Sequence, residues 1–203
     1  MVNNNGQTRL QHLAQRFNNE RTTTYEHIID TFKQLVMTKD FSKLSVAEIS
    51  EQASISRKTF YRYFKDKNEI IEHIVYAEIM KPMEQIRSLT DSFEMPSLTV
   101  MSWLYEQLYK ERQFYKRINS FTGQNSFFEL MLAYTSQIVA DKFASLNISA
   151  QEKEYSIYFY ASSHVMVLSK WIDEGMQIPP AQMASFYEKW TIPAIADYIE
   201  QQR

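Results

Sequence analysis

The sequence predicts an all-α protein in which an N-terminal helix-turn-helix region precedes a longer helical region. Three observations support this fold class. Apolar residues recur at helical spacing along most of the chain, hydrophobic residues make up 44% of its 203 residues, and the composition includes three glycines and five prolines. Few turn-forming residues and many apolar ones favour long helices packed around a core.

A helix-turn-helix is predicted over residues 45–64, which read SVAEISEQASISRKTFYRYF. Ser45 and Glu48 have the S-x-x-E spacing of a capping box, in which the two side chains satisfy backbone N–H groups at the start of a helix. Ser56 follows the turn and can cap a second helix. The spacing therefore predicts two short helices joined by a tight turn.

The second helix, predicted over 57–64, has an inward side and an outward side. Phe60 and Phe64 are four residues apart, so both can pack inward. The outward side carries basic, hydroxyl and phenolic groups on Lys58, Thr59, Tyr61 and Arg62. A short helix that is held by buried aromatic rings and exposes such groups can bind in a DNA major groove, which is lined with phosphates.

The stretch TFYRYFKDKNEI closely resembles the end of the DNA-binding domain of the TetR/AcrR family of bacterial transcriptional regulators, and the similarity extends back to about Thr22. The cap, the turn, the second helix and the D-x-x-E start of the next helix at Asp66 all occur in register. The family usually has glycine in the turn where this chain has Ser54. If the backbone there is left-handed, we expect the serine to cost about 1 kcal/mol of stability.

The resemblance implies three parts of the chain: a polar extension over 1–20, a three-helix DNA-binding domain over 21–67, and a helical ligand-sensing and dimerisation domain over 68–203. The extension is rich in Asn and Gln and contains dispersed arginines. Two interpretations of it stay open. It is either a basic arm that reaches phosphates or a minor groove, or a leader that contacts nothing.

Candidate DNA contacts come from the motif and from the resemblance. Arg57, Lys58 and Thr59 lie at the end of the second helix that normally enters the groove, so they are candidates for base edges. The resemblance implies phosphate contacts for tyrosines of this helix and for the lysine at the start of the next. The full predicted set is Thr24, Ser45, Arg57, Lys58, Thr59, Tyr61, Tyr63 and Lys67. For the hydroxyl groups at helix starts, plain capping is an equally good explanation.

The charge of the chain is unevenly distributed. The net charge is −2, but residues 1–67 hold 11 Lys/Arg against 7 Asp/Glu, and residues 68–203 hold 11 against 17. The first part is therefore +4 and the second −6. This asymmetry favours phosphate contact at one end of the molecule.

Long helices are predicted in the remainder of the chain. One begins at Asp66 and is expected to kink or end at Pro82, because proline lacks the N–H group of the helical ladder. Pro193 is expected to bend the last helix. The further helical patterns span 98–118, 127–143, 151–174 and 180–201.

The last two predicted helices have more apolar positions than a single buried stripe requires. The family resemblance implies that they pair with their copies in a second subunit, so we predict a homodimer. The predicted interface residues are Ala161, Val165, Leu168, Phe186 and Trp190. A tightly buried hairpin in a monomer is the alternative.

A sensor pocket is predicted among Trp103, Tyr134, Tyr158 and His164. Pockets for apolar or planar molecules are mostly aromatic with a few polar groups, although such stripes are more often simply core. The segments LYEQLYKERQ and FYKRINSFTGQNSFFELM also resemble a TetR subgroup that includes the activator of a dihydroxyacetone kinase operon. That resemblance implies control by a protein partner.

Other functional classes find no support. The chain has no cysteine, its four histidines are far apart, and it contains neither a Walker loop nor a G-x-G-x-x-G motif. We therefore expect no catalytic site, metal or cofactor. There is no run of about 18 apolar residues and no signal peptide, so we expect no membrane association and a cytoplasmic location.

The predicted function is sequence-specific binding to a double-stranded DNA operator. The protein is interpreted as a homodimeric repressor that a small molecule releases. The alternative is a regulator or activator of the same family controlled by a protein partner, without a small-molecule pocket. An enzyme would need a cluster of acid, base or metal-binding residues that the sequence does not display.

Overall fold

A computed structural model describes residues 22–89, 98–120 and 126–202. The polar extension predicted over 1–20 lies outside these residues. All regular elements in the described ranges are helical, as predicted. They are α1 (Thr23–Thr38), a 3-10 turn (Phe41–Lys43), α2 (Val46–Gln52), α3 (Arg57–Tyr63), α4 (Lys67–Val75), a π turn (Tyr76–Met80), α5 (Lys81–Leu89), α6 (Leu98–Lys110), α7 (Arg112–Asn119), α8 (Phe127–Phe143), α9 (Ala150–Asp173), α10 (Pro180–Trp190) and α11 (Ile192–Gln201).

Side-chain caps start the helices of the helix-turn-helix region. The Ser45 hydroxyl accepts a hydrogen bond from the Glu48 amide at 3.2 Å, and the Ser56 hydroxyl accepts one from the Thr59 amide at 3.0 Å. Asp66 caps α4 by accepting from two amides of its first turn. Each cap satisfies N–H groups that have no partner within the helix, and these predictions are confirmed. The Glu48 carboxylate pairs with Lys39.

The turn between α2 and α3 has the left-handed residue that the sequence suggested. Ser54 has φ of 54°. Its N–H donates to the Glu51 carbonyl at 3.0 Å, and the Ile55 N–H donates to the Ser50 carbonyl at 2.9 Å. These two bonds form a Schellman motif, whose left-handed position usually holds glycine. The strain expected at Ser54 is therefore present.

Buried rings hold the first four helices together. Phe32, Phe60 and Phe64 are fully buried, and Phe41 is nearly so, as expected for the core of this region. The Tyr25 ring stacks on Phe64 with centroids 5.3 Å apart. This aromatic core supports α3 from beneath.

The connecting helix continues through Pro82 instead of ending there. The chain forms a π turn over Tyr76–Met80 and then resumes an α-helix that reaches Leu89. Pro82 has no N–H group to donate to the carbonyl four residues earlier. A π turn before the proline lets the helix continue although this hydrogen bond is missing.

A polar link joins the first helix to the second half of the molecule at this π turn. Lys33 of α1 contacts the Glu78 carboxylate at 2.6 Å, and the buried Tyr115 hydroxyl of α7 donates to the same carboxylate at 3.2 Å. Lys33 also lies 5.2 Å from the centre of the Phe114 ring. α7 therefore packs directly on α1.

In the second half, α8 packs along α9 and α10 packs along α6. Two predicted helices are divided. The 98–118 pattern breaks at Glu111, and the 180–201 pattern breaks after Trp190. The second break has a clear cause, because Pro193 cannot donate to the carbonyl four residues earlier. Pro193 thus separates two helices, where a bend was expected. No helix in the described ranges is long and apolar enough to cross a bilayer.

Candidate DNA interface and ligand cavities

Helix α3 presents a cationic exposed face on a buried aromatic base. Arg57, Lys58 and Arg62 are exposed, and the Tyr61 side chain is 57% exposed. Phe60 lies beneath them and is fully buried. The division into an outward polar side and an inward aromatic side is the one predicted from the spacing.

Arg57 and Lys58 have no carboxylate partner in the described part of the chain. Thr59 is partly buried, and its hydroxyl lies 2.9 Å from the Ser56 hydroxyl. Two exposed cations without an internal counter-ion leave a positive potential at the start of α3. Such a surface attracts phosphates.

Tyr63 lies inside the protein, although it belongs to the predicted set of phosphate contacts. It is 7% exposed, and its hydroxyl accepts hydrogen bonds from the Thr22 hydroxyl at 3.1 Å and from Arg62 Nη2 at 3.0 Å. These bonds, that from Thr22 above all, lower the pKa of Tyr63. The Arg62 guanidinium lies 4.9 Å from the centre of the same ring. Tyr63 therefore joins α1 to α3 and orients Arg62.

Lys67 is engaged by the backbone of the preceding connection. Its Nζ donates to the carbonyls of Phe41 at 2.6 Å, Leu44 at 2.7 Å and Ser42 at 3.3 Å. It also lies 4.5 Å from the centre of the Phe41 ring. Desolvation lowers the pKa of Lys67, against a smaller opposing effect of Asp66. We refer to these hydrogen bonds from Lys67 to the three carbonyls as the Lys67 clamp. Sequence reasoning missed it, because its acceptors are backbone groups 23 to 26 residues away.

The two remaining predicted DNA contacts lie at helix starts. Thr24 is partly buried in the first turn of α1. Ser45 is exposed and caps α2. The structure therefore brings the predicted set to one end of the molecule, with Tyr63 and Lys67 turned inward.

The four residues predicted to line a sensor pocket do not share a cavity. Tyr158 is 56% exposed, and Trp103 packs, partly buried, against the core. Tyr134 is buried, and its hydroxyl donates to the Met80 carbonyl at 3.3 Å. Only Tyr134 and His164 of the four border the same interior cavity, which has about 20 Å³. That volume holds about one water molecule.

A larger groove of about 270 Å³ lies between α9 and α10, with α6 and α11 contributing to its walls. Of the predicted pocket residues, His164 alone lines it. The His164 ring contacts the Tyr187 ring edge to face, with centroids 4.8 Å apart. Burial lowers the pKa of His164 to about 4. The other walls of this groove come from Tyr105, Phe159, Tyr160, Phe186, Tyr187 and Trp190. Of these, sequence reasoning missed Phe159, Tyr160 and Tyr187, and it expected Phe186 and Trp190 at the dimer interface.

Three of the predicted interface residues are buried within the single chain, so that part of the prediction is wrong. Ala161, Val165 and Leu168 are 0 to 1% exposed. They share the inward side of α9 with Ile157 and Ile172, so they pack within the chain and not against a second copy.

The outward side of α9 carries other apolar residues. Phe159 and Met166 are 65% and 58% exposed, and Val167 is 38% exposed. On α10, Trp190 is 59% exposed and stacks on Phe186 with centroids 4.8 Å apart. We refer to Phe159, Met166, Val167, Phe186 and Trp190 as the apolar face. The apolar face includes Phe186 and Trp190, two of the five predicted interface residues.

Comparison with known proteins identifies the chain. The profile of the family described as "Bacterial regulatory proteins, tetR family" matches residues 28–74, which include the helix-turn-helix. A second profile, described as "Transcriptional regulator C-terminal region", matches residues 98–191. The chain belongs to the TetR family. Residues 28–74 are therefore the helix-turn-helix region of this family of bacterial regulatory proteins.

Two curated TetR-family relatives match part of the chain. The mycofactocin biosynthesis transcriptional regulator MftR of Mycobacterium tuberculosis is 30% identical over 79 residues, which are 39% of this chain and 38% of that protein. The dhaKLM operon transcriptional activator DhaS of Lactococcus lactis is 35% identical over 60 residues, which are 28% of this chain and 32% of that protein. The matches thus span about a third of the length of each relative.

A solved structure shares the TetR-family fold over most of the chain. The structure described as "Dihydroxyacetone kinase operon activator DhaS" superposes with a TM-score of 0.58. It covers 89% of this chain and 98% of that one, at 19% identity. The chain thus resembles the DhaS subgroup in overall fold as well as in sequence.

Proposed function

We propose that this TetR-family regulator represses transcription as a homodimer bound to a near-palindromic operator, and that a small molecule releases it. Residues 21–67 would form the DNA-binding domain, and residues 68–203 would form the sensing and dimerisation domain. The observation that carries the DNA-binding part is the face of α3. It has two exposed cations without a carboxylate partner, held on a buried aromatic base.

In this proposal α3 enters the major groove and its residues have separate roles. Arg57, Lys58 and Thr59, in its first turn, contact base edges. Tyr61, which is 57% exposed, contacts a phosphate. The phosphate contacts of Tyr63 and Lys67 stay predictions, and making them requires these side chains to give up bonds inside the protein.

The apolar face supports self-association. Phe159 and Trp190 are exposed on two neighbouring helices, and burying such a surface against a second copy would remove it from water. A dimer would place two α3 helices about 34 Å apart, in successive major grooves. A mass of twice 24.1 kDa in light scattering is the expected result for the full chain, whereas a mass of 24.1 kDa would contradict the proposal.

The base-reading role of Lys58 is testable by selecting binding sites from random DNA with the full-length protein. Lys58→Ala should weaken binding to the selected site by about 1–3 kcal/mol and relax the preference at one position per half-site. Lys110→Ala removes the same charge at the end of α6 and serves as the matched control. If Lys58→Ala kept the sequence preference of the wild type, Lys58 would not read a base.

Control by another protein is a second candidate, and one observation favours it. The interior cavity of about 20 Å³ is far smaller than usual ligand pockets, which measure about 300–1,000 Å³. Tyr155 and Tyr158 are exposed on α9 and could belong to a protein contact. This candidate predicts a regulator whose operator affinity and thermal midpoint do not respond to small molecules.

A further inference from the structure

The groove between α9 and α10 contains polar groups that the protein leaves without hydrogen bonds. Tyr105, Tyr187 and His164 all line it. Among the described residues, none of the three has a hydrogen-bond partner, although Tyr105 and Tyr187 are 1% and 6% exposed. Their polar atoms keep some solvent access, so water in the groove or a ligand that displaces it can supply the missing hydrogen bonds. Three such groups in one groove indicate a site for an external partner.

The rest of the lining sets the chemistry of that partner. Aromatic rings of Phe159, Tyr160, Phe186 and Trp190 form much of the wall, and none of the described residues that line the groove is charged. Burial raises the pKa of Tyr187 and lowers that of His164, so both are neutral near pH 7. A charged ligand would lose its hydration and find no counter-ion here. A neutral molecule with planar apolar surface would instead find aromatic contacts.

The groove has a second cavity behind two of these residues. His164 and Tyr187 line both the groove of about 270 Å³ and the interior cavity of about 20 Å³. The groove itself is slightly smaller than the usual lower limit of about 300 Å³ for ligand pockets, which favours a small ligand.

We propose that this groove binds a neutral, planar and mostly apolar molecule with one oxygen acceptor, such as a carbonyl, to which Tyr105 and Tyr187 donate hydrogen bonds. The proposal rests on the small-molecule control proposed above and places its site on the surface between α9 and α10, away from the domain interior. The apolar face shares Phe159, Phe186 and Trp190 with the groove. A second copy seated on that face would close the groove around the ligand.

The test uses 6-propionyl-2-(dimethylamino)naphthalene, a neutral fluorescent ketone whose emission moves to shorter wavelength when its carbonyl loses a hydrogen bond. The full-length protein should bind one molecule per chain, saturably. Tyr105→Phe and Tyr187→Phe should each weaken binding about three- to tenfold, the range expected for one hydrogen bond, and should shift the bound emission to shorter wavelength. Their thermal midpoints should stay close to that of the wild type, because neither hydroxyl has a partner among the residues that the structure describes.

Tyr198→Phe is the matched control. It removes a hydroxyl from α11 that bonds to Ser156 and Glu152 and does not line the groove, so probe affinity should not change. Ser163→Phe adds a ring to the groove wall and should abolish binding.

Absence of saturable binding to the wild type would overturn the proposal, as would equal affinity and emission in Tyr105→Phe, Tyr187→Phe and the wild type. Operator binding and mass by light scattering are measured on the same samples. A dimer that binds DNA and takes up no probe would refute the groove site and leave the DNA-binding proposal intact.

Discussion

The two ends of the molecule use tyrosine and histidine in opposite ways. Around α3 and α4 two tyrosine hydroxyls are bonded within the protein, as in the 2.8 Å contact between the Tyr25 hydroxyl and His73 Nδ1 and the 3.1 Å bond from Thr22 to Tyr63. Around α9 and α10, the Tyr105 and Tyr187 hydroxyls and His164 have no hydrogen-bond partner among the described residues. The first arrangement holds α3 in place, and the second leaves polar groups open to the groove that we propose as a ligand site.

A polar side chain that is hydrogen-bonded near α3 and α4 should contribute strongly to stability, and we expect the largest effect at Lys67. Lys67→Ala leaves the carbonyls of Phe41 and Leu44 without their donor. We expect it to reduce the free energy of unfolding by up to about 3 kcal/mol, the upper cost of leaving such acceptors unsatisfied. Urea unfolding at pH 7 measures this change.

Lys65→Ala, two residues earlier, is the control for Lys67→Ala, because Lys65 is exposed. If both variants lost the same stability, the clamp would have no special role. Hydrogen bonds of polar side chains near α3 and α4 would then not contribute more to stability than an exposed lysine does.

At the groove, we expect the free energy of unfolding to depend on pH through His164. Burial lowers the pKa of His164 from its ordinary value of 6.5 to about 4. Between these values the unfolded chain binds a proton at His164 that the folded chain does not, so stability falls as the pH falls. The loss should reach about 2 kcal/mol at pH 5 relative to pH 8.

The contribution of His164 is isolated by subtracting the pH profile of His164→Gln, which cannot titrate, from that of the wild type. Identical profiles in urea unfolding between pH 8 and 5 would mean that the ring is solvated or hydrogen-bonded in solution. That result would weaken the case for an unsatisfied groove.

The smallest expected effect is a gain of stability. Ser54 holds a left-handed φ of 54° in the turn before α3. Ser54→Gly should therefore raise the free energy of unfolding by about 1 kcal/mol, because glycine adopts this conformation without steric cost. Thermal unfolding measures it, and a lower midpoint would show that the serine makes compensating contacts.

Local features were predictable from the sequence because they depend on neighbouring residues. The caps by Ser45, Ser56 and Asp66 act on amides two to three residues away. The burial of Phe60 and Phe64 follows from their spacing on one helical face. The bounds of α8, Phe127–Phe143, agree with the predicted pattern for the same reason.

The candidate site was predictable only where one helical face is clearly polar. On α3 the cationic side is distinct, so its exposed residues were identified. On α9 apolar residues occur around most of the helix, and periodicity alone could not decide that Ala161 and Val165 point inward while Phe159 and Met166 point outward. The groove and the Lys67 clamp join residues far apart in sequence and have no local pattern.

The sequence by itself determined the helix-turn-helix, its caps, its strained turn and the family to which the chain belongs. Those features are encoded in hydrogen bonds and side-chain spacing within a few residues. The tertiary structure decided which apolar face of α9 is buried, where the groove forms and which tyrosines have no partner. These outcomes depend on how helices distant in the chain pack together, because packing selects one among several apolar faces of similar hydrophobicity.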